Sequence, residues 1–82
     1  MKYLNVVVKD KKSVLFQGSA WAVSSVNQKG NFDVLEEHAN FISLISERLI
    51  IRKDEKDKGR VIEIDKGVMH VEADNVNVWV GI

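Results

Sequence analysis

The run Asn75-Val76-Asn77-Val78-Trp79-Val80 alternates without a break: Val76, Val78 and Val80 face one way, Asn75, Asn77 and Trp79 the other. A period of two fits a half-buried β-strand and no helix, because a helix would scatter the three valines around its axis. A strand needs neighbours, and the chain supplies them as short β-rich runs between turn-forming clusters. Leu4–Lys9 precedes a charged turn, Asp10-Lys11-Lys12-Ser13. Val14–Gln17 ends at Gly18, read as a bulge or bend. Ser19–Val26 reads as one strand with Ser19, Trp21, Val23 and Ser25 on one face and Ala20, Ala22, Ser24 and Val26 on the other. Asn27–Asn31 is a polar turn with Gly30 where a positive φ is expected.

Arg48–Arg52 and Arg60–Asp65 flank a mixed-charge hairpin tip, Lys53–Gly59. Lys66-Gly67 reads as a turn. Val68–Glu72 and Asn75–Val80 form a closing pair across Ala73-Asp74. Roughly eight or more short strands separated this way predict an all-β sandwich or barrel.

The stretch Gly30–Ile45 resists this pattern. Asp33-Val34-Leu35-Glu36 has the form of a capping box. Leu35, Ala39, Ile42, Ile45 and Leu49 follow at helix-like spacing, which taken alone predicts an amphipathic helix over residues 34–51. Phe41–Ile45 is also β-rich and partly alternating, so periodicity leaves both readings open.

Eighty-two residues leave room for one core, so residues 1–82 are expected to form a single domain. Twelve basic residues balance twelve acidic ones, which removes the long-range attraction that nucleic acid or anionic lipid requires. The absence of cysteine excludes disulfides and thiolate zinc sites. The amino-terminal apolar run is too short for a signal peptide, and no run is long enough to span a bilayer. The chain is therefore expected to be soluble and cytoplasmic, with no direct membrane insertion and no nucleic-acid partner.

Chemistry-bearing residues are sparse. His38 beside Glu36 and Glu37 could suggest a metal site, but three adjacent positions do not converge on one ion. The favoured reading is a histidine whose ring nitrogens satisfy nearby backbone groups. His70 and Glu72 share a strand face, yet a His-x-Glu zinc deaminase also needs cysteine ligands. No nucleophile–base pair, carboxylate dyad or phosphate-cradling loop can be assembled, so neither catalysis nor a cofactor is expected. Trp21 and Trp79 stand among small or polar neighbours, where an aromatic side chain serves either a core or a protein partner.

Several blocks, in order, carry a family likeness: Val14-Leu15-Phe16-Gln17-Gly18; Gly30-Asn31-Phe32 with Val34-Leu35 and His38-Ala39; Lys66–Val71; and Asp74–Val78. With these blocks the chain resembles the amino-terminal β-sandwich domain of the epsilon subunit of rotary F-type ATP synthases. It differs at Asp33, where the family often has glycine, at Glu36 and Asn40, where prolines are usual, and at Lys66, where a glycine pair begins. The chain stops at Ile82, where typical members continue into a helical domain, so that domain's properties do not carry over.

The resemblance implies a flattened β-sandwich of about eight to ten short strands. It reads the central stretch as strand, crossover and strand: Asn31–Val34, Leu35–Asn40 and Phe41–Leu44. It implies a non-catalytic rotor component that contacts the gamma subunit and the c-ring, peripheral to the inner face of the membrane. Ring-facing contacts are expected among Gln28, Lys29, Gly30, Asn31, His38 and Phe41, and a gamma-facing one at Trp79. The competing reading, prompted by Asp33, Glu36 and Asn40, is a free-standing β-sandwich interaction adaptor outside the synthase.

Overall fold

The computed structural model describes residues 3–81, and every regular element in it is a strand. In chain order these are β1 Leu4–Lys9, β2 Val14–Ala20, β3 Ala22–Asn27, β4 Gly30–Leu35, β5 Phe41–Arg52, β6 Arg60–Glu72 and β7 Asn75–Val80. They join in the order β2-β1-β7-β6-β5-β3-β4. Neighbours run antiparallel except β1 and β7, which pair in parallel from Asn5↔Asn75 to Lys9↔Trp79.

One residue forces this sheet to fold over. β2 and β3 lie five places apart in the strand order, a distance of about 24 Å in a flat sheet. Yet Trp21 alone separates Ala20 from Ala22, and two residue steps reach only about 7 Å. The sheet must therefore bend until β2 lies close to β3, which makes two layers. The first holds β2, β1, β7 and the facing halves of β6 and β5; the second holds the other halves of β6 and β5 with β3 and β4. The Trp21 N–H donates to the Arg52 carbonyl at 2.8 Å, fixing the step between layers.

The bend runs through the two long strands. Between Ser46 and Glu47 the β5–β6 register slips, leaving Asp65 unmatched, and Glu47 has φ 71°. An extra residue in a ladder increases local twist and turns the strand. Gly67 sits beside this corner: a Cβ there would lie 2.7 Å from the Trp79 carbonyl oxygen and 3.3 Å from Ile45 and Val80 side-chain carbons. Its role is close approach, not a turn.

The inner rows make one core. Leu4, Val6 and Val8 of β1, Val76, Val78 and Val80 of β7, and Met69 and Val71 of β6 face Val23, Val34, Leu49 and Ile51 of the second layer. These side chains alternate with exposed ones along β1 and β7, as half-buried strands require.

Several sequence expectations need correction. Residues 34–51 are not helical: β4 reaches Leu35, a turn at residues 36–37 and an irregular link over residues 38–40 follow, and β5 starts at Phe41. The strand–crossover–strand reading is the one observed. The described strands number seven instead of eight to ten, because β5 and β6 run unbroken for 12 and 13 residues. Lys66-Gly67 lies within β6. Gly18 lies in regular pairing opposite Val6; the slip in β2 falls at Leu15, opposite the Val8–Lys9 step. Ser19–Val26 is two strands that meet at Trp21, so its side chains do not keep one alternation.

The turns themselves follow local chemistry. Gly30 takes φ 112° after the two-residue Gln28-Lys29 link, and the Asn27 side-chain oxygen accepts the Lys29 N–H at 2.8 Å. Ala73 and Asp74 both have positive φ, the geometry that matches hairpin twist. This is costly for alanine, and neighbours hold it: the Asn40 side chain accepts the Ala73 N–H at 3.0 Å, and the Asp74 carboxylate accepts the Glu37 N–H at 2.7 Å.

Two aspartates cap loops. Backbone N–H groups of Lys12 and Ser13 donate to the Asp10 carboxylate, and those of Lys53 and Gly59 donate to Asp57. These bonds favour the charged form and hold both acids below the usual value of 3.8. A depressed folded-state pKa gives stability that is full above 3.8 and lost as pH falls through the folded value. In urea unfolding, Asp57→Asn is expected to be less stable than the parent at pH 7, with the gap closing below that range. Gly67→Ala should cost about 1–3 kcal/mol, because the new methyl group meets backbone as well as side chains.

Candidate functional site

A cluster of exposed apolar side chains lies on the outer face of the first layer. Cross-strand partners share a face, so register defines its rows. One row reads Leu44, Val68, Trp79, Lys9; the next reads Ile42, His70, Asn77, Val7. Ile42 is 70% exposed, Leu44 72% and Trp79 41%. Val68, His70 and Val7 are half-buried between them. Contiguous apolar surface of this kind marks interaction sites in folded proteins, whereas single exposed hydrophobes do not.

An open trough borders the cluster. A groove of about 520 Å³ is lined by Val26, Asn27, Gln28, Leu44, Ile45, Ser46, Glu47, Lys66 and Gly67. A second, of about 390 Å³, shares Asn27, Gln28 and Leu44 and adds Lys29, Phe41, Ile42 and Ser43. The β3–β4 tip forms one wall and the first half of β5 the other. The Asn27 side-chain amide donates to Ser43 Oγ at 3.3 Å, joining the two walls.

The structure brings most of the expected contact residues to this region. Gln28, Lys29 and Phe41 line the trough, and Gly30 shapes the turn above it. The His38 ring lies 5.0 Å from the Phe41 ring, which meets Phe32 edge-on at 5.9 Å. His38 Nδ1 is 2.8 Å from the Ala39 carbonyl oxygen, in line with the backbone-satisfying reading of that residue. Trp79 reaches the same region across Val68 and Leu44. Asn31 turns away: its side-chain oxygen accepts from Arg48 Nη2 at 3.0 Å, on the outer face of the second layer.

Ile42 and Leu44 escaped the sequence reading. The available signal was the phase of Phe41-Ile42-Ser43-Leu44-Ile45: with Phe41 and Ile45 inward, the two residues that flank Ser43 must point outward.

The second layer's outer face differs. The Ser24 hydroxyl donates to the Asp33 carboxylate at 2.5 Å, and Arg52 Nη1 donates to Ser24 Oγ at 3.0 Å. Exposed Leu35 and Val61 lie on β4 and β6, with this polar set and Ile50 between them. Asp33 and Asn40, two of the residues that set the chain apart from the family it resembles, are therefore internal hydrogen-bond acceptors. Among the described residues no helix is long and apolar enough to cross a membrane.

No curated protein sequence matches the chain significantly. Among solved structures, a chain of the Euglena gracilis mitochondrial ATP synthase, determined with OSCP and the c-ring, superposes with TM-score 0.85 at 17% identity, covering 95% of this chain and 50% of that one. A chain of the Tetrahymena thermophila mitochondrial ATP synthase central stalk and c-ring superposes with TM-score 0.79 at 10% identity, covering 96% of this chain and 63% of that one. The chain thus spans about half to two-thirds of those proteins, and the likeness is one of fold. The model of the ATP synthase delta/epsilon chain β-sandwich domain matches residues 3–81, and the chain belongs to that family.

Proposed function

We propose that the protein is a non-catalytic subunit of the central stalk of an F-type ATP synthase, coupling ion-driven rotation to ATP synthesis through protein contacts. The observation that carries this reading is the apolar cluster of Ile42, Leu44, Val68 and Trp79 on a rigid sheet, joined to a trough walled by the β3–β4 tip. Family membership and the stalk assemblies that hold its structural neighbours support it.

The division of labour follows from shape. A sheet face offers a broad apolar area that can bear torque against one partner, here gamma, through Trp79, Leu44 and Ile42. Projecting turns suit a second partner, here the c-ring, through Gln28, Lys29, Gly30, His38 and Phe41. Asn31 contributes by bracing this tip against Arg48. The protein thereby sits at the membrane through the ring without entering the bilayer. The alternative of a free-standing adaptor loses much of its motive, because Asp33 and Asn40 have structural roles.

Replacing Ile42 and Leu44 together by aspartate tests the reading. Both are exposed, so the thermal midpoint should shift by no more than a few degrees. Affinity for the co-expressed gamma subunit, measured by titration calorimetry, should fall by about a hundredfold or more. Parent and double variant binding gamma equally well, or the parent failing to bind at micromolar concentration, would overturn the proposal.

A further inference from the structure

The two ends of the strand order are not alike. β2 and β4 are the sheet edges, and each turns alternate backbone N–H and C=O groups away from its one partner. Natural sheets protect such edges with charges, proline, bulges or short strands. β4 carries Asp33, and β5 beside β3 supplies Arg48 and Arg52. β2, Val14-Leu15-Phe16-Gln17-Gly18-Ser19-Ala20, has neither charge nor proline. Its one irregularity is at Leu15; from Phe16 to Ala20 it pairs residue for residue with Val8 to Leu4, leaving a regular edge.

Both faces beside this edge are open. On the outer face, Gln17 prolongs the row of Ile42, His70, Asn77 and Val7, so an uncharged, mixed polar and apolar row runs from the cluster to the edge, while the neighbouring row of Leu44, Val68 and Trp79 ends at Lys9. On the inner face, Phe16 lies under the Arg60 guanidinium at 5.8 Å and borders an open cleft of about 740 Å³ lined by Lys53, Asp54, Lys56, Asp57 and Arg60 as well as Ile51 and Gly59. An added strand would find room for its side chains on both sides.

We infer that the partner covering the outer face of the first layer also adds an extended segment to β2, pairing main chain to main chain, with polar side chains turned toward the charged inner cleft. This rests on the stalk reading above and names the mode of attachment. Strand addition draws affinity from backbone hydrogen bonds and register from alternate side chains, which would give a rotor joint directional stiffness that face contact alone lacks.

Amide hydrogen exchange on the full chain, free and with co-expressed gamma, tests the inference. Alternate amides of Phe16–Ser19 should exchange readily in the free chain and slow by about a hundredfold or more in the complex, with the β4 edge unchanged. A complex in which β2 amides keep their free rate, or in which β4 is protected instead, overturns strand addition and leaves the stalk reading standing. Failure to form any complex overturns both.

Discussion

The single-residue step at Trp21 is the constraint on which the rest of this structure depends. Because β2 and β3 must lie within two residue steps of each other, a sheet of seven strands cannot stay open. The bend is taken up where β5 and β6 cross between layers, with Asp65 unmatched, Glu47 at positive φ and Gly67 providing room against β7. Once the sheet is folded, alternation decides everything else: inward rows become the core and outward rows meet water. The outward cluster of Ile42, Leu44 and Val68 then carries apolar area that water does not favour. Covering a side chain of this size is worth roughly 1.5–3 kcal/mol, a driving force large enough for a few such residues to anchor a partner.

One end of the sandwich is secured by polar bonds between segments far apart in sequence. The Asn40 side chain accepts from the Ala73 N–H, the Asp74 carboxylate accepts from the Glu37 N–H, and the Asn5 N–H donates to the Asp74 carbonyl at 2.8 Å. Crossover, last hairpin and first strand are thus tied at one place. Holding the 36–40 link also holds His38 against Phe41 and so positions one wall of the trough. Asn40 belongs to the scaffold of the surface, although it differs from the residue usual in the family.

The hairpins were legible in the sequence because their signals are local. The valine alternation of β7, the Ala73-Asp74 turn and the Gly30 turn all depend on residues a few positions apart. The layer crossing was not legible. Trp21 reads as an ordinary strand residue, and only pairing across the sheet shows that the chain changes layer there. Lys66-Gly67 has turn composition, but its glycine answers a close approach from β7, which no local window contains. The helix-like spacing over residues 34–51 has a similar origin: it merges outward Leu35 of β4 and outward Ile42 of β5 with inward Ile45 and Leu49 of β5. Of the surface, the turn residues Gln28, Lys29 and Gly30 could be found by resemblance, whereas Ile42 and Leu44 needed the phase of β5.

The central claim is that the outer face of the first layer is buried by a protein partner. Trp79 reports on it directly, since Trp21→Phe leaves Trp79 as the only indole in the chain. Its fluorescence should move to shorter wavelength and become shielded from a soluble quencher when the gamma subunit binds. A complex that forms while the emission and quenching of Trp79 stay as they are in the free chain would contradict the account.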